Sequence, residues 1–192
     1  MMQRMYRACA VTGCMASGLM LSGAVVLGQT PSSSQAASAT STMASGPAGE
    51  AQRSYAGLKA NILKAADRMP EGDFKFRPTP EVRTFGRVVN HISEAQLHSC
   101  GAANGTKDPA KVPPETADKA AIVEALNASF AECDKAYAAL TDTNMAEMLA
   151  MGPMKRSRIG LMWGNVAHDN EQYATLALYL RLKGLAPPSS EK

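Results

Sequence analysis

From residue 50 onward prolines fall in clusters, and the stretches between them repeat apolar residues at steps of three and four. Proline removes a backbone donor and clashes with the preceding turn, so Pro70, Pro78, Pro80, Pro109, Pro113, Pro114, Pro153, Pro187 and Pro188 mark where helices cannot run. The first open stretch carries Tyr55, Leu58, Ile62, Ala65 or Ala66, and Met69 on one stripe, which predicts a helix over roughly 50–69. Thr84 is an N-cap candidate for a second helix running to about 103, with an inner stripe of Val88, His91 and Ala95 flanked by Phe85, Val89 and Ile92. The third stripe, Ile122, Leu126, Phe130, Cys133, Tyr137 and Leu140, is the most regular, with Asp118 or Thr116 as its cap. After a loop from Thr141 to Pro153, the fourth reads Leu161, Asn165, His168, Gln172, Leu176 and Tyr179, and Gly184 is the expected residue just past its end. With only 5% aromatic residues and much Ala, Met and Leu, the composition favours helix over sheet. The expected class is all-α, a four-helix bundle.

The segment before these helices has a different character. Arg4 and Arg7 precede an uncharged run from Ala8 to Leu27, with Val26 and Gly28 at a cleavage pattern, so residues 1–28 read as a secretory signal peptide. An uncleaved anchor helix and a lipid on Cys14 are the alternatives. Residues 29–49 hold no charge before Glu50 and are rich in Ser, Ala, Thr and Pro, the composition of a flexible linker. The folded domain is then expected over 50–192, periplasmic or secreted, with no membrane association after cleavage. Cleavage leaves Cys100 and Cys133, and export makes that pair a candidate disulfide.

The polar residues inside the stripes carry the functional argument. Burying an unpaired polar side chain costs roughly 1–3 kcal/mol, yet His91, His168 and Gln172 stand where Leu or Ile would ordinarily be. His168 and Gln172 are four residues apart and so share a helix face, about 6 Å apart along the axis. An imidazole from a facing helix completes a three-ligand set for a divalent transition metal, Zn or Ni for preference. The alternative is a hydrogen-bonded polar layer that fixes helix register. Glu94 and Glu171, each within a turn of a histidine, are candidates to orient the imidazoles. His98 lies about 10 Å along the axis from His91 and is expected in a pocket or on the surface.

The segments FKFRPTPEVRTFGRVVNHISEAQ, CDKAYAAL and NVAHDNEQYATLALYLRLKGLAPPSS make the chain resemble the DinB-like family of metal-binding four-helix bundles over nearly all of residues 50–190. The resemblance implies an up-down-down-up topology with a long crossover between helices two and three, for which Asn104 to Glu115 is the segment. It also implies a metal held by one His on helix two and an H-x-x-x-H pair on helix four. His91 and His168 match the first two positions, and the sequence departs at the third, where Gln172 offers a neutral, weaker oxygen ligand. Parallel second and third helices would place Cys100 and Cys133 at one level, within reach of a disulfide, whereas an antiparallel pair would separate them by roughly 20 Å.

Two functions follow. One is an exported metal-dependent enzyme, of hydrolase or thiol-transferase type, acting on a small molecule. The other is a non-catalytic exported small-molecule-binding bundle with a degenerate metal site. A formal net charge of +3, lowered further by loss of Arg4 and Arg7, excludes an electrostatic case for nucleic acid. No serine-hydrolase elbow, phosphate-binding glycine loop or zincin motif occurs. A homodimer is compatible with the sequence.

Overall fold

The structure, a computed structural model, describes residues 45–191. The expected signal peptide and nearly all of the expected linker lie outside the described residues. Four long helices, α1 (Gly46–Arg68), α2 (Phe85–Asn104), α3 (Lys119–Ala138) and α4 (Arg158–Leu182), make up the bundle. A short 3-10 turn, Glu71–Lys75, follows α1, and a second, Pro188–Ser190, closes the chain.

Three of the helices start on capping side chains. Thr84 Oγ1 accepts from the Arg87 amide at the start of α2, Asp118 Oδ1 from Ala121 at the start of α3, and Ser157 Oγ from Gly160 at the start of α4. Gly184, at φ +74°, follows the end of α4 in the left-handed conformation the sequence reading assigned to it. α1 begins at Gly46, four residues before the expected boundary, because Pro47 is accepted in a first turn and Ala48 and Ala51 bury completely. Asp142 Oδ1 takes the free Ala48 amide at 3.0 Å. A Cβ on Gly46 would meet the Asp142 carboxylate at 2.6 Å, so this helix start is built against that loop.

Contacts between helices fix their directions. Gly86 lies against Ile122, Gln96 bonds Ser129 and Cys100 is linked to Cys133, so α2 and α3 are parallel. Gln52 reaches the Tyr137 carbonyl while Lys119 reaches the Asp67 carbonyl, so α1 and α3 are antiparallel. Arg158 donates to the Ala103 carbonyl and Tyr179 to the Arg83 carbonyl, which makes α4 antiparallel to α2. The result is the up-down-down-up order, with residues 105–118 as the crossover between the parallel pair. Asn90 anchors that crossover through a 2.8 Å bond to the Pro113 carbonyl.

The core is contiguous through all four helices. Phe85, Ile92, Leu126, Phe130, Leu161 and Leu176 are each no more than 1% exposed, and every such side chain contributes about 1.5–3 kcal/mol. Phe74 packs edge-on against Phe85, and Phe76 against Tyr179, so the proline-flanked segment plugs one end of the bundle as its two phenylalanines suggested. Cys100 and Cys133 form a disulfide, their Cα atoms 4.9 Å apart. The expected loop from Thr141 to Pro153 is in part a hairpin, β1 (Met148–Met151) paired antiparallel with β2 (Met154–Ser157), which leads directly into α4. Four-residue strands leave too few positions for a period of two to register in the sequence.

Candidate metal centre

His91 comes from the middle of α2 and His168 from the middle of α4. Because the two helices are antiparallel neighbours, one imidazole meets the other across their seam, with Nε2 to Nε2 at 3.2 Å. The rings are edge to face, at 69° and 4.9 Å between centroids. Two imidazoles bound tetrahedrally to one ion at 2.0–2.1 Å place their nitrogens about 3.3 Å apart, close to this separation, which is also that of a direct imidazole–imidazole hydrogen bond. Neither histidine is a core residue in the full sense. Their side chains are 27% and 25% exposed, at the edge of the packed interior, where solvent and a small molecule have access.

Gln172, one turn beyond His168, is 6% exposed and makes no hydrogen bond among the described residues. Its amide atoms are not among the fully buried unpartnered polar atoms of the described residues, which are Asn90 Oδ1 and Asn165 Nδ2, so they keep contact with solvent. Among the described residues no three His, Cys, Asp or Glu side chains gather into a cation site; Gln172 shares the helix face of His168, four residues on. Two imidazoles and one neutral oxygen suit a borderline divalent ion such as zinc or nickel.

The outer nitrogens of the rings face carboxylates. Glu94 Oε2 lies 3.7 Å from His91 Nδ1 and is itself held by both guanidinium nitrogens of Arg87 at 3.0 Å. Burial, then the nearby Arg83, His168 and Arg87 charges, hold His91 below its ordinary pKa, with Glu94 opposing; the neutral ring is the one that can ligate. On α4 the neighbouring carboxylate is Asp169, whose Oδ1 is 3.4 Å from His168 Nδ1.

The expected partner on α4, Glu171, is exposed and its side chain makes no hydrogen bond or ion pair among the described residues. The expected stripe is buried at Leu161, Asn165, Gln172, Leu176 and Tyr179, and departs from the core at His168 alone. Asn165, Asp169, Gln172 and Leu176 form the buried line, at steps of four, three and four, and His168 stands beside it. The same applies to α2, where Gln96 and Ser93 are fully buried and Ala95 is not. Gln96 Nε2 donates to Asp169 Oδ2 at 2.9 Å, and the Ser129 hydroxyl of α3 lies 2.7 Å from Gln96 Oε1. These three residues went unrecognised in the sequence, although the spacing from Asn165 through Asp169 to Gln172 and Leu176 is a legitimate helical stripe.

His98 is exposed and lines a groove of about 610 Å³ between α2 and the crossover, together with Glu94, Leu97, Asp108 and Lys111. It is apart from the His91 and His168 pair. Among the described residues no helix is long and apolar enough to cross a membrane.

Comparison with known proteins agrees with this fold. The family model of the DinB superfamily matches residues 55–176, which include His91, His168 and Gln172. A DinB-like protein from Bacillus cereus superposes with a TM-score of 0.60 at 16% identity, covering 72% of this chain and 93% of that one, a likeness of fold. No curated protein matches the chain.

Proposed function

Because the chain belongs to the DinB superfamily, we propose that it is an exported metal-dependent enzyme whose divalent ion, zinc or nickel, is held between α2 and α4 by His91, His168 and Gln172. The observation that carries this reading is the 3.2 Å approach of the two Nε2 atoms. With a carboxylate near the outer nitrogen of each ring, both imidazoles are drawn toward carrying their proton on Nδ1. With a cation between them both lone pairs face the ion; without one, His91 carries its proton on Nε2 and donates to His168 across the seam. When bound, such an ion supplies Lewis acidity, the chemistry that hydrolysis and thiol transfer share.

The residues of the chain supply the rest. Partial exposure of the two rings leaves an open side for a small-molecule substrate, and the Arg83 side chain adds positive charge near His91 without a hydrogen bond or ion pair among the described residues. The Cys100–Cys133 disulfide supports an oxidising compartment, where small thiol cosubstrates are scarce. Of the two chemistries, hydrolysis suits that setting better.

A second reading, a non-catalytic exported small-molecule-binding bundle, draws on the buried Asp169, Gln96 and Ser129 layer, which satisfies polar groups without any ion. Elemental analysis of protein purified without added metal, followed by zinc and nickel titration, separates the two. The metal reading requires near-stoichiometric ion, lost in His91→Ala and in His168→Ala. Absence of binding under excess zinc and nickel leaves the binding module alone.

A further inference from the structure

Asp169 is the one carboxylate buried in the described core, 1% exposed, and no Lys or Arg side chain pairs with it among the described residues. Its surroundings are asymmetric. Oδ2 accepts from Gln96 Nε2 at 2.9 Å, and Oδ1 faces His168 Nδ1 at 3.4 Å. Gln96 is fully buried and its other end, Oε1, lies 2.7 Å from the fully buried Ser129 hydroxyl. A carboxylate can only accept, so Gln96 must present its NH2 to Asp169, and its carbonyl then takes the Ser129 proton. Every member of the row from α3 through α2 to α4 is thereby assigned a direction.

The geometry points to Asp169 as a positioning residue that fixes the tautomer of His168. We propose that the row from Ser129 through Gln96 to Asp169 holds the His168 proton on Nδ1, so that Nε2 presents its lone pair to the seam shared with His91. In the ion-free protein that lone pair accepts from His91 Nε2 at 3.2 Å. Metal binding at Nε2 rests on the function proposed above; the tautomer does not, because the row that sets it lies wholly within the protein.

The substitution Asp169→Leu tests this by removing the acceptor that faces Nδ1. Asparagine would not serve, because the Ser129 hydroxyl also lies 2.8 Å from the Leu126 carbonyl, so that without the carboxylate Gln96 can turn over and the new amide can offer Nδ1 its oxygen. With no acceptor at Nδ1, the His168 proton is no longer held there. Nitrogen-15 NMR of histidine-labelled, metal-free protein reads this directly. In the wild type the protonated nitrogen of His168 is Nδ1; in Asp169→Leu the Nε2–H form becomes populated; in the exposed-carboxylate control Glu171→Gln it stays Nδ1. Where zinc binds, its affinity falls about 10- to 100-fold in Asp169→Leu, the usual effect of losing a carboxylate behind a ligating histidine.

A wild-type His168 protonated on Nε2, or a tautomer unchanged in Asp169→Leu, overturns the proposal even if zinc affinity drops. A tautomer that switches as expected in a protein that never binds zinc upholds it and removes the metal reading instead. Should Asp169→Leu not fold, Gln96→Met leaves the carboxylate in place but unanchored. The expected result is then a mixed His168 tautomer, and a pure Nδ1–H form would count against the row.

Discussion

Gln172 occupies the position at which a histidine would complete a three-imidazole set, and its amide has no hydrogen-bond partner among the described residues. Replacing it by histidine exchanges a weak neutral oxygen for an imidazole of comparable reach, on the same helix face as His168. Gln172→His is expected to tighten zinc binding at least tenfold, measured by competition with a chromophoric chelator, with no loss of thermal stability. A hydrogen-bonded polar layer would instead lose stability without gaining affinity. The three candidate ligands were legible because each interrupts an apolar stripe. Asp169 was not, since a residue next to a histidine on an amphipathic helix reads as lying off the buried line, and a stripe drawn through His168 assigns it outward. The phase of the fourth helix is set by packing against α1 and α2, which a single sequence does not display. The same packing turns His91 and His168 to the edge of the core, brings Gln96 inside it and keeps Asn165 there, as its stripe position implied. Asn165 shows the cost of that placement: Tyr137 Oη lies 3.0 Å from its Oδ1, while its Nδ2 is buried without a partner.

At the scale of elements, the parallel pair α2 and α3 has to be joined by a long crossover, and the chain secures both ends of it. Near the end of α2, Glu132 accepts from Asn104 Nδ2 at 2.8 Å, Thr106 Oγ1 at 2.6 Å and Lys135 Nζ at 3.1 Å. The hydrogen bonds from Thr106 and Asn104, and then the Lys135 contact, hold the Glu132 carboxyl below its usual pKa. A carboxyl lowered in the folded state adds stability that is complete above the unfolded value, about 4.3, and disappears as pH falls through that value toward the folded one. The difference in melting temperature between wild type and Glu132→Gln is therefore largest at neutral pH and closes below about pH 4, a comparison for calorimetry across that range. A gap independent of pH would mean that the clamp acts through shape alone. The helices were readable from their stripes and caps because each is a local property of consecutive residues. The hairpin β1 and β2 was not, because two four-residue strands are specified by each other and by the start of α4.

In the whole molecule, two independent ties run outward from α2. Cys100 bonds it to α3, while His91 and Gln96 meet α4 through His168 and Asp169. The bundle and its helix count follow from the sequence pattern. Its parallel middle pair was accessible only through the family resemblance, because helix direction depends on where a crossover lands and not on composition. The two ties differ in what they govern. The disulfide closes a loop with a sequence separation of 33, for which the lost entropy of the unfolded chain corresponds to roughly 3–4 kcal/mol. Cys100→Ala together with Cys133→Ala should lower the unfolding free energy by about that amount, read from the urea midpoint in metal-free protein. The His91 and His168 seam is built from α2 and α4 and packs through Gln96 and Asp169, two turns of helix or less from the bridge, yet neither imidazole touches a sulfur. Zinc affinity measured well below the midpoint should accordingly stay within about threefold of wild type, since the one shared neighbour, Gln96, meets Cys133 only through its backbone carbonyl, at 3.9 Å, and reaches Asp169 through its side chain. A large loss of affinity in the double variant would show instead that the bridge sets the spacing of the two histidines, and that the seam between α2 and α4 is held open or closed from the opposite side of α2.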